Sequence, residues 1–243
     1  MFSWNRRLRS RFQPEVSSVV LILDEISTCA AWQQGSDILR NLRSLIQAME
    51  GDSFIVADAR PLYEISKDRF SAFFNVFTTI PLGALIAEET EQLIVEPGAS
   101  VGIKFTAEAV AMIKQLTACK PYYIQVLCCS ICEWLLKFRA KPVVNPTVVD
   151  VCTAAALRRL GEHFSALWGT LTAFQKSFTL DLLNSRPTSL AAIENFAEYE
   201  RQHREIKLLR DRQLLSLDSY NRSTIEPLLG AWLRQFYAQS SIS

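Results

Sequence analysis

Two adjacent carboxylates, Asp24 and Glu25, are the residues of this 243-residue sequence whose type and position point most directly to chemistry. They follow the apolar run 19–23, which predicts a buried β-strand that delivers acids to a sheet edge. At such an edge the first acid can help to hold a magnesium ion, and the second can polarise an attacking water. The pattern therefore predicts a metal- and water-handling site.

The strand and its acids are typical of a Walker B element in a nucleotide-binding sheet. Such strands are parallel and covered on both faces, so they are apolar throughout instead of alternating. The phosphate-binding loop G-x-x-x-x-G-K-[ST] that should precede the acids occurs nowhere in the chain. The segment 98–104 has the wrong glycine spacing and follows the acids, so we predict a turn there.

Composition restricts the class of protein. The hydrophobic share of 49% and the charged share of 21% are those of a globular protein. A formal charge of +1 gives no electrostatic case for wholesale binding to nucleic acid or membranes. No apolar run approaches the roughly 20 residues needed to span a bilayer. We expect a cytoplasmic protein with no membrane partner.

The six cysteines raise the question of disulfides or zinc. Cys129-x-x-Cys132 has a ligand-like spacing, but a single pair cannot fill a tetrahedral zinc shell. These residues lie in an apolar helical pattern, where cysteine acts as a small hydrophobe. We therefore expect reduced core thiols and no metal among them.

The N-terminal segment 1–17 is basic, with four arginines and no acid in its first fourteen residues. Trp4, Leu8 and Phe12 are spaced to share one helical face, as in an organelle transit peptide. The competing interpretation is the remnant of a basic surface helix of the same nucleotidase sheet. We favour that helix remnant, because the predicted strand follows almost at once.

Strand and helix patterns alternate in residues 18–96. The sequence predicts, after the first strand, a helix over 36–50, a strand over 53–57, a short helix over 61–67, a strand over 75–80 and a helix over 88–95 closed by Pro97-Gly98. Alternation of this kind predicts the later half of a parallel, helix-covered sheet.

Residues 97–160 show helical periodicity only. Pro121 suits the first turn of a helix, because its missing N–H would be unpaired there anyway. A further helix follows Asn145-Pro146 and runs to about Arg159. We expect a small helical bundle.

The last block, residues 161–243, combines helices with a ribbon. Its apolar residues predict a helix over 164–184, shorter helices from Ser189 and about Arg201, a hairpin of 214–218 with 223–226, and a closing helix. Three helices and a two-stranded ribbon describe a winged helix.

Four motifs follow one another along the chain. They are Leu21-Ile22-Leu23-Asp24-Glu25; Phe73-Phe74-Asn75-Val76-Phe77 with Ile80-Pro81-Leu82-Gly83; Lys120-Pro121-Tyr122-Tyr123-Ile124-Gln125; and Leu214-Leu215 with Glu226-Pro227-Leu228-Leu229 and Trp232-Leu233-Arg234. Their order resembles AAA+-related ATPases of the STAND class and their archaeal-type relatives. The resemblance implies an α/β plus all-α chain: a partial nucleotide-binding domain over 18–96, a helical lid over 97–160 and a winged-helix domain over 161–243.

The resemblance also implies roles for single residues. Asp24 would bind magnesium through water, and Glu25 would position the hydrolytic water. Asp58 or Arg60 occupies the place of the residue that senses the terminal phosphate, with plain loop charges as the alternative. Arg69 lies where relatives place a residue that reaches into a neighbouring subunit's site, although a solvated surface arginine is the simpler interpretation.

In the lid of these relatives a proline contacts the adenine ring, and glycine, or glycine and histidine, precedes it. Pro121 and Tyr122 hold the corresponding positions here, while a helix start with a core aromatic is the alternative. Lys120 precedes the proline and puts a side chain where the backbone would approach the ligand closely.

Two functions follow as expectations. The first is a truncated or split switch ATPase, inactive alone, that takes ATP or ADP and Mg²⁺ only if the missing Walker A segment is supplied by an upstream-encoded nucleotidase half; self-association is a further expectation. The second is a non-enzymatic module that binds protein or DNA through the lid and winged helix. DNA is not favoured, because residues 161–243 hold nine basic and nine acidic residues.

Overall fold

The computed structural model describes residues 20–26, 28, 35–48, 53–58, 77–78, 80–184, 196–217 and 223–237. The chain divides into two compact units, Met1–Pro81 and Leu82–Ser243. Several sequence predictions lie outside the described residues, namely the segment 1–17, the helix 61–67, Arg60, Arg69 and most of the strand 75–80. Phe77, Thr78 and Ile80 of that predicted strand are described, and they lie outside any strand.

The first unit contains two parallel strands joined by a helix. Strand β1 (Val20–Leu23) pairs with β2 (Ser53–Val56), and helix α1 (Gly35–Ala48) lies between them in sequence. The register runs from Val20 opposite Ser53 to Leu23 opposite Val56. Parallel neighbours require such a crossover, so the predicted strand–helix–strand order is confirmed here.

Burial of β1 alternates, so this apolar strand differs from the fully covered strand of a complete nucleotide-binding sheet. On one face Leu23 and Val56 pack with Ile26 and Leu39, a residue of α1. On the other face Val20, Ile22 and Ile55 are 58%, 66% and 51% exposed. Among the described residues of this unit, the apolar cover lies on the α1 side alone.

The second unit is mainly helical. Its elements are α2 (Ala87–Ser100), β3 (Lys104–Phe105), α3 (Ala107–Thr117), α4 (Pro121–Phe138), β4 (Val143–Val144), α5 (Pro146–Arg159), α6 (Gly161–Gly169), α7 (Ala173–Leu183), α8 (Phe196–Asp211), β5 (Leu215–Leu217), β6 (Ser223–Ile225), α9 (Pro227–Trp232) and a π-helical turn, Leu233–Tyr237. Strands β3 and β4 pair in parallel, and β5 and β6 in antiparallel. We refer to residues 82–159 as the helical block and to 160–237 as the C-terminal block.

Two helix starts agree with the sequence predictions. Helix α4 begins with Pro121 in its first turn. Helix α5 begins at Pro146, and the Asn145 side chain caps it by accepting a hydrogen bond from Val148 N at 3.1 Å. Both are starts that proline and asparagine favour for stereochemical reasons.

Helix α2 does not stop at Pro97-Gly98 as predicted. It continues to Ser100, so Pro97 lies inside its last turn. Gly98 serves packing instead, because a Cβ added there would lie 2.7 Å from Phe105 Cε2. The turn predicted over 98–104 is confined to Val101 and Gly102, and Gly102 has a φ of 79°.

The predicted helix over 164–184 is two helices, α6 and α7. The break falls at Thr172, whose hydroxyl accepts from Gln175 N at 3.2 Å while Gln175 Oε1 accepts from Thr172 N at 3.1 Å. This reciprocal capping box starts a new helix within an unbroken apolar spacing. The later helix α8 begins at Phe196, earlier than Arg201, and Ser189 lies outside the described residues.

The second unit has two hydrophobic clusters. One belongs to the helical block, with Ile113, Ile124, Leu127 and Ile131 fully buried. The other belongs mainly to the C-terminal block, and its fully buried members are Leu160, Phe164, Leu209, Leu228 and Leu233. Tyr123 and Leu157 of the helical block join the second cluster, so the two blocks pack through apolar contact.

None of the helices in the described ranges combines the length and apolar character that crossing a bilayer requires.

Candidate functional site

Asp24 and Glu25 lie directly after β1, and both are exposed. Glu25 adopts a left-handed backbone conformation with a φ of 51°. Its N–H donates to Asp24 Oδ1 at 2.9 Å, which fixes one carboxylate oxygen against the turn. Left-handed non-glycine residues cost free energy and cluster at functional turns. The acids therefore stand on a constrained turn at the carboxyl end of a parallel strand.

Asp58 lies at the same edge of the two-stranded sheet. Ala57 N donates to Leu23 O at 2.8 Å, which extends the pairing beyond β2 and brings the residues after the two strands together. In open parallel sheets, ligands bind at this carboxyl edge. Asp58 is partly buried. The predicted site residues Arg60 and Arg69 lie outside the residues that the structure describes.

Within the described ranges, no group of three or more His, Cys, Asp or Glu side chains is placed to hold a metal ion. The cysteines described are Cys119, Cys128, Cys129, Cys132 and Cys152, and all are free thiols. Burial, together with neighbouring thiols, raises the pKa of Cys128 to about 12. Cys129, in contrast, is exposed and accepts a hydrogen bond from Arg159 at 3.2 Å, so it is not a core thiol as expected.

Pro121 and Tyr122 are accessible in the second unit. Pro121 is exposed, and Tyr122 is 50% exposed with its ring edge-on to His163 at a centroid distance of 5.3 Å. The core aromatic of this helix start is Tyr123, which is 4% exposed. Tyr122 is thus available to a ligand, and Tyr123 is not.

Lys120 has the densest polar environment at this helix start. Its Nζ donates to Gln213 O at 2.6 Å and lies 5.0 Å from the centroid of the Tyr123 ring. Burial lowers the pKa of Lys120, and the nearby negative charge of Glu226 opposes that shift. The lysine side chain therefore extends from the helical block into the C-terminal block.

Glu226 is a buried acid of the C-terminal block. It is 2% exposed and caps α9, accepting from Leu228 N at 3.2 Å and Leu229 N at 2.7 Å. Burial raises the pKa of Glu226, while Lys120 and the two N–H groups counteract the rise. Every strong partner of this carboxylate favours its charged form, as a buried acid requires.

Lys120 and Glu226 both line a small cavity of about 260 Å³. It is lined by Gly83, Ala84, Ala118, Lys120, Gln213, Leu215 and Glu226. Two hydrogen bonds join chain segments next to this cavity. Leu85 N donates to Cys119 O at 2.9 Å, and Gln213 Nε2 donates to Leu82 O at 3.0 Å. The cavity thus brings together three separate stretches of chain.

Backbone strain concentrates around the same cavity. Ala118, Cys119 and Gln213 have φ values of 47°, 58° and 56°, in the left-handed region that favours glycine. Each such residue costs on the order of 1–3 kcal/mol and persists only where its surroundings enforce it. Surrounding contacts therefore hold this region in its conformation.

A larger groove of about 520 Å³ lies elsewhere in the second unit and is mostly apolar. It is lined by Leu157, Arg158, Gly161, Ser165, Trp168, Gly169, Trp232 and Phe236. Arg158 is the one ionisable residue in that lining. This groove is the larger of the two spaces, but Lys120 and Glu226 line the smaller cavity.

The sequence contained a signal for Glu226 as a helix cap but none for the hydrogen bond between Lys120 and Gln213. An acid followed by proline before an apolar run is a helix-start pattern, and it predicts a cap at Glu226. Gln213, however, lies 93 residues from Lys120 along the chain, and no spacing rule connects them. In the sequence, Lys120 is recognisable only as a departure from the lid motif.

The sequence matches no protein-family model and no curated protein. Among solved structures, the chain is similar to the Walker-type ATPase of Pyrococcus abyssi, with a TM-score of 0.63 and 13% identity over 96% of this chain and 68% of that chain. The chain therefore has a fold similar to that of this Walker-type ATPase. It is also similar to ORC1 of Aeropyrum pernix, solved in complex with DNA, at a TM-score of 0.47 and 16% identity over 98% of this chain and 69% of that chain.

The first unit contributes the parallel β1–α1–β2 arrangement to this fold. At these identities the likeness concerns the fold alone.

Proposed function

We propose that the chain is the later part of an ATP-binding switch ATPase of the STAND type. Residues 18–96 would be the Walker B half of the nucleotide-binding domain, residues 97–160 the lid and residues 161–243 a winged helix. The observation that carries the proposal is the pair Asp24 and Glu25, which stands on a constrained turn at the carboxyl end of a parallel strand in an ATPase-related fold.

In this function Asp24 would hold Mg²⁺ and Glu25 would position the hydrolytic water. Magnesium suits the site, because it is usually bound by one or two carboxylates plus phosphate oxygens and water. The chain's own residues do not cradle the phosphates, since G-x-x-x-x-G-K-[ST] is absent. ATP or ADP with Mg²⁺ would bind only when an upstream-encoded nucleotidase half supplies that loop.

Other residues would contribute weaker contacts. Pro121 and Tyr122 would contact the adenine ring, which their exposure supports. Asp58 or Arg60 would sense the terminal phosphate, and Arg69 would act on a neighbouring subunit's site. The ribbon β5–β6 and helices α6–α8 supply the elements that a winged helix needs.

Reconstitution with a phosphate-loop segment, supplied fused or as a separate chain, tests the proposal by calorimetric titration. Asp24→Asn should weaken the magnesium-dependent part of ATP binding. Glu25→Gln should leave binding intact and remove hydrolysis, because the second acid acts on the water and not on the ground-state nucleotide. Pro121→Ala should reduce affinity only modestly.

Asp37→Asn is the matched control, since it removes an exposed carboxylate from α1 in the same unit. It should change neither binding nor hydrolysis. Equal loss of binding in Asp24→Asn and Glu25→Gln would mean that both acids are structural and would end the Walker B assignment.

The isolated chain should show no appreciable ATPase activity. Positioning of the β- and γ-phosphates by loop amides and a lysine is the main source of catalysis in P-loop enzymes. Steady turnover by the pure chain, abolished by Glu25→Gln, would contradict this expectation.

A second candidate function is a protein- or DNA-binding module. The observation in its favour is the exposed basic face of α8, where Arg201, Arg204, Lys207 and Arg210 are all exposed. Lys207 pairs with Asp211, and Arg210 donates to Ser223 Oγ at 2.9 Å. DNA binding that weakens with salt and with Arg204→Gln would support this function.

A further inference from the structure

The larger groove, of about 520 Å³, lies where the end of α5 meets α6, α9 and the π-helical turn. Three aromatic rings line it, those of Trp168, Trp232 and Phe236. The rings of Trp232 and Phe236 have centroids 6.5 Å apart, and Phe236 is 39% exposed. Sites for small molecules have volumes of roughly 300–1,000 Å³ and mostly apolar linings. The groove therefore has the size and the lining of a site for a small aromatic molecule.

The indole N–H of Trp232 is a buried donor in this lining. Trp232 is 6% exposed, and its Nε1 lies 3.8 Å from the position of a Cβ added to Gly161, which lines the same groove. Among the described residues, none accepts a hydrogen bond from this N–H. Buried polar groups nearly always have a partner, and an indole N–H can only donate. The groove therefore presents a donor to which a ligand can supply the acceptor.

Arg158 supplies the charge of the groove. Its side chain is exposed and is the one ionisable group in the lining. Within the described ranges, the Arg158 guanidinium forms no ion pair or hydrogen bond, whereas that of Arg159 pairs with Glu133. A guanidinium can only donate, and its planar fork fits a carboxylate through two parallel hydrogen bonds. Because a single cation balances a single negative charge, a carboxylate suits this mostly apolar groove better than a doubly charged phosphate does.

We propose that the larger groove binds a small aromatic carboxylate. Arg158 pairs with the carboxylate, and the rings of Trp232 and Phe236 contact the apolar body of the ligand. The Trp232 N–H donates to an oxygen of the ligand. Neither Pro121 nor Tyr122 lines this groove, so the site and its test do not depend on the proposed nucleotide function.

Calorimetric titration of the full chain with cinnamate tests the site, and cinnamamide is the uncharged probe of matched shape. The chain should bind cinnamate about tenfold or more tightly than cinnamamide, because hydrogen bonds between charged groups are the stronger ones. Arg158→Gln should remove this preference. Arg159→Gln is the matched control, because it removes the same charge one residue away and outside the lining, and it should keep the preference.

Gly161→Leu tests the groove itself. A Cβ at Gly161 meets only Trp232 Nε1 within 4 Å, so a side chain fits there and covers the N–H. The affinity for both probes should fall by about tenfold or more, because the added side chain occupies part of the groove. In heteronuclear NMR spectra, cinnamate should shift the indole N–H resonance that is absent from Trp232→Phe. If Trp232→Phe does not fold, Gly161→Leu still tests the same contact.

Four other results would overturn the site. No saturable binding of cinnamate, or equal affinities for the two probes, would show that the groove selects no anion. An equal loss of preference in Arg159→Gln would show a general effect of charge. An unchanged Trp232 resonance would place the ligand elsewhere. Concentration-dependent dimerisation that Gly161→Leu abolishes, without binding of cinnamate, would assign the groove to a second copy of the chain.

Discussion

The surroundings of His163, including Lys120, change the pKa of its ring. Its ring packs edge-on against Tyr122 and Tyr123, and its Nε2 lies 3.4 Å from the Tyr123 hydroxyl. Burial lowers the pKa of His163, and the positive charge of Lys120 lowers it further. The folded chain therefore resists protonation of this ring more than the unfolded chain does.

The first prediction concerns pH. Because the unfolded chain binds the proton more tightly, the free energy of unfolding should fall as pH decreases from about 6.5 through the lowered folded-state pKa. His163→Gln should remove this part of the pH dependence, whereas His203→Gln, at an exposed position, should not. Urea unfolding at several pH values measures the effect. An identical pH dependence in His163→Gln and the parent chain would contradict it.

At the scale of elements, the sequence specified helices whose ends carry a stereochemical signal. Helices α4 and α5 were predictable because proline and asparagine mark their starts. The break between α6 and α7 was not recognised, although Thr172-x-x-Gln175 is itself a start signal, because the apolar spacing runs through it. Strands β3 and β4 have two residues each, too few for any periodicity to detect.

The second prediction tests the α7 start. Thr172→Ala should lower the free energy of unfolding by about 1 kcal/mol, because Gln175 N loses its acceptor. Thr170→Ala is the control, since Thr170 is exposed and bonds only within the preceding turn, to Leu167 O. It should change stability by about 0.5 kcal/mol or less. Equal effects would mean that the cap contributes nothing.

The third prediction concerns the packing of α2 against Phe105 of β3. Gly98→Ala should destabilise the chain by about 1–2 kcal/mol, because the added methyl group overlaps Phe105. Gly169→Ala, where an added Cβ meets nothing within 4 Å, should be neutral or slightly stabilising. Thermal unfolding of both variants measures the contrast, and similar melting temperatures would refute the packing role.

At the scale of the whole molecule, the resemblance carried by the motif order implied an α/β plus all-α chain, and the fold is similar to that of a Walker-type ATPase. They could not predict which parts pack together. Tyr123 was expected only as part of a lid motif, yet it lies in the hydrophobic cluster of the C-terminal block. Long-range pairing of this kind depends on the whole set of packed surfaces, which no local window contains.

The fourth prediction is that residues 82–237 unfold as one cooperative unit. Leu127→Ala in one cluster and Leu209→Ala in the other should each cost about 2–5 kcal/mol, because both side chains are fully buried. Circular dichroism and tryptophan fluorescence should follow the same transition in each variant. Separate transitions would show that the shared residues Tyr123 and Leu157 do not couple the clusters.

The short ladder of β3 and β4 bears on the order of folding. It pairs Lys104 with Val143 and Phe105 with Val144, and all of α3 and α4 lies between them in sequence. Helices form in about a microsecond from neighbouring residues. The two strand segments must instead find each other across a long loop, and loop closure carries an entropic cost. We therefore expect the ladder to form late, after α3 and α4 have shortened the distance that the chain must close.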